Sequence, residues 1–166
     1  MEAKKEILTL INGCIEAALD ELYDKDLHLL FYMVHERTIV FRFGHYLQNK
    51  LDAHEAFKQY NLDFEYNRNG RQPKRIPTRS RNGAYPDLII HRRGLNTHNL
   101  LVMEFKPYWD RNVDNDCDKI LQFVDKNGDY KYQFGKSIIF GKNRQSVIVK
   151  TFMQSHPTME GGSDYV

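Results

Sequence analysis

Asp87, Glu104 and Lys106 are the residues of this 166-residue chain best placed to do chemistry. Asp87 follows Tyr85-Pro86 and opens the apolar run Leu88-Ile89-Ile90-His91. Glu104 and Lys106 close a second run, Leu100-Leu101-Val102-Met103-Glu104-Phe105-Lys106. Both runs are short and rich in Ile, Leu and Val, as strands are. Residues 92–99 between them include Gly94, Asn96 and Asn99, which suit a turn. A hairpin that bends between Leu95 and Asn96 sets Asp87 opposite Glu104, Ile89 opposite Val102 and His91 opposite Leu100. Side chains alternate between sheet faces, so Lys106 shares the face of Glu104. Two carboxylates directly opposed across strands repel each other. Their placement among apolar neighbours predicts something bound between them, a divalent cation being the simplest candidate.

The rest of the chain must hold that hairpin. Residues 7–22 place Ile7, Leu10, Ile11, Cys14, Ile15, Ala18, Leu19 and Leu22 at helical spacing, an amphipathic helix with an acidic outer face. A second helix is expected over about residues 29–56. Glu36 falls in register there with Val40, Phe43, Leu47 and Leu51, on the stripe that faces the core. A carboxylate in that position is costly unless paired or bound to a metal, so it needs either Arg37 or Arg42 in an ion pair, or a cation. Residues 62–67 alternate like a strand. Residues 68–84 hold six cations (Arg68, Arg71, Lys74, Arg75, Arg79, Arg81) and no acid. Gly70, Pro73, Pro77 and Gly83 predict an irregular loop there, a cationic arm suited to phosphates. After Pro107, Val113, Cys117, Ile120, Leu121 and Val124 predict a helix from near Asp114. Strands are expected over residues 132–140 and 146–153, joined by a tight turn.

Composition sets outer limits. Residues 1–26 carry seven acids against three lysines, a charge of −4, so the remainder is +6 of the net +2. Two cysteines without a CxxC or Cys/His cluster argue against zinc and against a disulfide scaffold. Asp114, Asp116 and Asp118 fall short of an EF-hand loop, because Lys119 stands where its glycine is required. No His pair has metal-ligand spacing. With no signal-peptide pattern and no membrane-length apolar run, a soluble, cytoplasmic protein is expected.

Pro86-Asp87 on one strand, Glu104-Phe105-Lys106 on the next and a helical Glu36 upstream resemble the PD-(D/E)xK, or restriction-endonuclease-like, nuclease superfamily. The resemblance implies an α/β fold, a mixed central sheet of about five strands flanked by helices, here with an extra N-terminal helix. It divides the chain into an acidic N-terminal helix (1–28), a nuclease-like domain (29–154) and a tail (155–166). It implies magnesium, with manganese as substitute, held by Asp87, Glu104 and the backbone carbonyl of Phe105. Glu36 would hold a metal-bound water or a second cation, and Lys106 would hold and help activate the attacking water and touch the phosphate. Lys119 and Gln122 are auxiliary candidates on the following helix. Gln122 is followed at the fourth position by Lys126 rather than by a tyrosine, which departs from the Gln-x-x-x-Tyr of a RecB-like subgroup.

The expected function is a divalent-metal-dependent nuclease, a DNA endonuclease of restriction-like, phage-defence or branched-DNA type. A homodimer or a larger nuclease complex is the expected assembly. The alternatives are a non-catalytic nucleic-acid-binding or regulatory subunit on the same fold, and an interaction protein whose basic arm binds an acidic partner.

Overall fold

A computed structural model describes residues 2–77, 83–110 and 114–154. Helix α1 spans Glu2–Lys25 and buries Ile11, Cys14, Ile15, Ala18, Leu19 and Leu22 along one stripe. The expected second helix is in fact two. Helix α2, Leu27–Phe31, stops before Met33, whose φ of 51° lies in the left-handed region that interrupts a right-handed helix. Helix α3, Glu36–Asp52, restarts behind His35, whose Nδ1 accepts the Arg37 amide at 3.2 Å as a cap. Glu36 is therefore the first residue of a helix and not a point along one, and its charge is favoured by the helix dipole. Helix α3 packs on α1. A single 3-10 turn at Glu55–Phe57 follows.

Strand β1 covers Asn61–Phe64. The arm expected to be irregular contains a small hairpin, β2 (Arg68–Asn69) with β3 (Gln72–Pro73). Gly70 makes its turn possible at φ 58°, a conformation other residues adopt only at a cost. Strands β4 (Leu88–His91) and β5 (Leu101–Pro107) follow, then α4 (Asp114–Val124), β6 (Phe134–Phe140) and β7 (Ile148–Met153). The turn before β7 carries a 3-10 segment at Arg144–Ser146. The five-stranded sheet has the order β1-β4-β5-β6-β7. Only β5 and β6 run parallel; the other neighbours are antiparallel. A parallel pair needs a crossover, and α4 supplies it. The fold is thus mixed α/β, a five-stranded mixed sheet flanked by helices with a helix at its N-terminus. Among the described residues no helix is long and apolar enough to cross a membrane.

The β4–β5 hairpin has the predicted register, with Leu88 opposite Met103, Ile89 opposite Val102 and Ile90 opposite Leu101. Strand parity then assigns faces. Leu88, Ile90, Leu101, Met103 and Phe105 join the core beneath α1 and α3. Ile89 and Val102 join Ile120, Phe123 and Val124 of α4 on the opposite face. Asp87, Glu104 and Lys106 share the parity of this second set and approach α4. Strand β1 packs on α3, where Gly44 lets Phe64 lie directly on the helix. A Cβ at position 44 would run into the Phe64 ring.

Candidate active site

The hairpin, the first turn of α3 and the first turns of α4 meet at the C-terminal half of β5. Asp87 lies just ahead of β4 and is fixed by its own strand partner: its Oδ2 accepts the Phe105 amide at 2.8 Å. Glu104 is almost completely buried. Its Oε2 accepts from Lys119 Nζ at 2.6 Å, and the same ammonium donates to the Tyr85 carbonyl at 2.5 Å. The other oxygen of Glu104, Oε1, is buried with no hydrogen-bond partner. Lys106 Nζ sits 3.2 Å from Glu36 Oε2, 3.2 Å from Asp116 Oδ2 and 3.1 Å from the Phe105 carbonyl. Glu36, Asp87, Glu104 and Lys106, expected to act together, are brought to one place. The Phe105 carbonyl is there too, engaged by the Lys106 ammonium. Neither Arg37 nor Arg42 pairs with Glu36; Arg37 pairs with Glu65 and Arg42 with Asp26.

The electrostatics of this cluster are lopsided. Four carboxylates (Glu36, Asp87, Glu104, Asp116) meet two ammonium groups (Lys106, Lys119), a formal excess of two negative charges when all are ionised. Burial raises the Glu36 carboxyl above its usual range despite Lys106. Burial raises Asp87 as well, against the pull of Lys119. Glu104 is raised furthest, first by burial and then by the charge of Asp87. For Lys106 burial works against the charge, but Asp116 and Glu36 outweigh it and hold the ammonium above its ordinary range. Lys106 is therefore a proton donor to its neighbours and not a free base. Among the described residues no three Asp, Glu, His or Cys side chains already converge as a ligand set. In their place, lysines are the carboxylates' partners. The donor chemistry nevertheless fits a hard divalent cation. It offers carboxylate oxygens, two of them (Glu104 Oε1 and Asp116 Oδ2) buried without a hydrogen bond, in a site whose formal charge excess a dication would neutralise.

Two residues outrun the sequence reading. Lys119, only an auxiliary candidate in the sequence, is buried and clamps Glu104. Asp116, met in the sequence only as part of a rejected EF-hand loop, is buried and flanks Lys106. The signal was present: Asp116, Lys119, Ile120 and Phe123 follow helical spacing on the stripe of α4 that faces the sheet. Gln122 lies on a different part of α4, where its Nε2 donates to the Asp118 carbonyl at 3.1 Å.

The cationic arm divides. Arg68, Arg71 and Arg75 are exposed. Arg79 and Arg81 lie outside the described residues. Lys74 does not belong with them. It is buried, its Nζ donates to the Tyr66 carbonyl at 3.1 Å and to the Tyr132 hydroxyl at 3.2 Å, and the rings of Tyr66, Tyr130 and Tyr132 surround it. A lysine so enclosed cannot reach a phosphate. It pins the arm to the body, together with the Tyr130 hydroxyl, which bonds both the amide and the carbonyl of Arg75. Burial pushes Lys74 down to about 8, whereas the unfolded chain holds that proton up to about pH 10. The unfolded state thus binds more protons in that interval, and this group makes stability rise with pH between about 8 and 10. Urea unfolding in pH steps should show a wild-type gain across that window relative to Lys74→Met, and parallel curves for the two proteins would refute it.

No family model matches the chain, and no curated protein or solved structure matches it either.

Proposed function

We infer that the protein is a divalent-metal-dependent nuclease of the restriction-endonuclease-like kind, hydrolysing phosphodiester bonds in DNA. The observation that carries this reading is the buried, unpaired Oε1 of Glu104 inside a cluster of carboxylates with excess negative charge. Such an oxygen, left over from the salt-bridge network, is available to a cation. Asp87 and Glu104 would hold the metal, with Glu36 and the Phe105 carbonyl beside them. A bound magnesium or manganese supplies charge neutralisation at phosphorus and lowers the pKa of a coordinated water.

The chain's own residues supply the rest. Lys119 engages one oxygen of Glu104 and so leaves the other directed by a fixed rotamer. The Phe105 amide does the same for Asp87. Glu36 and Asp116 hold the Lys106 ammonium between them, where it donates to a water or a phosphate oxygen and stabilises charge as it develops. Arg68, Arg71 and Arg75 offer charge to the flanking backbone.

Incubation of supercoiled plasmid and of single-stranded oligonucleotide with magnesium, manganese or EDTA tests the reading. Cleavage of at least one of the two substrates is expected with either metal and none with EDTA. DNA binding without cleavage in any metal would replace it by a non-catalytic binding module. The arm has its own check. Arg71→Glu with Arg75→Glu should flatten the dependence of log affinity on log salt by up to about 0.9 per lost phosphate contact. An unchanged slope would remove the arm from DNA binding.

A further inference from the structure

Against the carboxylates opens a cavity of about 230 Å³. Glu36 and Asp87 form the wall it shares with the site, and Val40, Phe41 and Phe64 form an apolar wall opposite. At ~30 Å³ per molecule the space equals about eight waters, the bulk of one heterocyclic base. Phe41 is 58% exposed on α3 and lines this cleft. It leans on Phe64 with ring centroids 5.7 Å apart and planes 36° apart, and Phe41 presents the exposed aromatic face of the pair among the described residues. The rim is polar. Arg37 Nε and Glu65 Oε1 form an ion pair at 2.7 Å, offering donor and acceptor side by side. Glu65 adopts φ 45°, a conformation costly for a residue with a side chain. Phe64 is seated by Gly44, where any side chain would displace the ring.

The geometry points to this cavity as the seat of an unpaired nucleobase, so that the substrate is single-stranded or frayed nucleic acid, not an intact duplex. The inference rests on the nuclease reading for the phosphate end of the same nucleotide. Charge decides which part of a nucleotide enters. Glu36, Glu65 and Asp87 line the cavity against one cation, Arg37, which is itself paired with Glu65, so the lining disfavours a phosphate, whereas a neutral base meets an aromatic face and a hydrogen-bonding rim. A base in an intact duplex is stacked and paired and presents no free face to Phe41. Stacking on aromatic side chains is the general means of holding single strands, and it tolerates any sequence.

The test measures fluorescence anisotropy of an end-labelled oligothymidylate, alone and annealed to oligodeoxyadenylate, in EDTA so that nothing is cut. The wild type should prefer the single strand. Phe41→Ala should weaken single-strand binding by about tenfold and leave duplex binding unchanged, and Phe41→Trp should restore it. Because Phe41 is exposed, the variants should melt with the wild type, and this is measured alongside. No preference of the wild type for the single strand, or an equal loss on both probes, overturns the proposal. The two readings separate in a parallel magnesium assay. Metal-dependent cutting with no effect of Phe41→Ala on single-strand binding retains the nuclease and removes the base seat. Binding that depends on Phe41 with no cutting in any metal does the reverse.

Discussion

Lys119→Met should lower the unfolding free energy by about 3–5 kcal/mol near neutral pH, the cost of breaking a buried ion pair by removing one partner. Both side chains of the Lys119–Glu104 pair are almost fully enclosed, so solvent cannot take over from the lost ammonium. For a chain of this length the loss corresponds to a fall in melting temperature of roughly 10 °C. The effect must depend on pH, and its sign is fixed. The Glu104 carboxyl is already raised well above its usual value by burial and by Asp87, with Lys119 opposing. Its contribution to stability is fully present below the unfolded value of roughly 4. That contribution is lost as pH rises through the folded value. Without Lys119 the folded value climbs further, so the penalty should be small in mild acid and grow toward neutrality. Glu104→Gln in the same chain removes the stranded charge and should recover much of the loss. Millimolar magnesium should stabilise Lys119→Met more than the wild type, because the cation replaces the missing charge. Urea titrations in acid and at neutral pH, with and without magnesium, read all of this. An unfolding midpoint indistinguishable from wild type at neutral pH would show that the pair does not anchor the site.

How much of this was legible in the sequence depends on whether an interaction was periodic or accidental to folding. Opposed carboxylates on a hairpin follow from strand alternation and a midpoint turn, and the Ile89–Val102 pairing came out in the expected register. Glu36 was visible as a charge on an apolar period, although the helix carrying it begins there. The break at Met33 left no mark, because Phe31, Tyr32, Met33 and Val34 carry no glycine or proline and continue an apolar run. Asp116 and Lys119 obeyed the same rule as Glu36 but lay among other acids, which suggested a solvated helix start. Lys74 could not be read at all. Its burial depends on Tyr66, Tyr130 and Tyr132 converging from different parts of the chain, and only a folded sheet brings them together.

If the protein is the proposed nuclease, Lys106→Met should reduce metal-dependent cleavage by about 10²–10³ in kcat, the scale of losing one preorganised charge donor, and it should also move the acid limb of the pH profile. Glu36, Asp87 and Glu104 must be anionic to hold a dication, and burial has raised all three. Cleavage should therefore rise with pH along a limb displaced above roughly 4, the ordinary carboxylate value. A tenfold increase in magnesium should shift that limb toward acid, because the metal competes with protons for the same oxygens. Lys106 lowers the Glu36 carboxyl by its charge, so its removal should push the limb of the residual activity upward. Lys106 itself should add no ascending alkaline limb. Its ammonium is held above the ordinary lysine range by Asp116 and Glu36, which suits a donor that stabilises charge and not a base that takes the proton. If the wild-type rate instead climbs with a lysine-like pKa that Lys106→Met abolishes, the lysine is the base. If Lys106→Met retains wild-type kcat and an unmoved acid limb, the ammonium between Glu36 and Asp116 is only a strut.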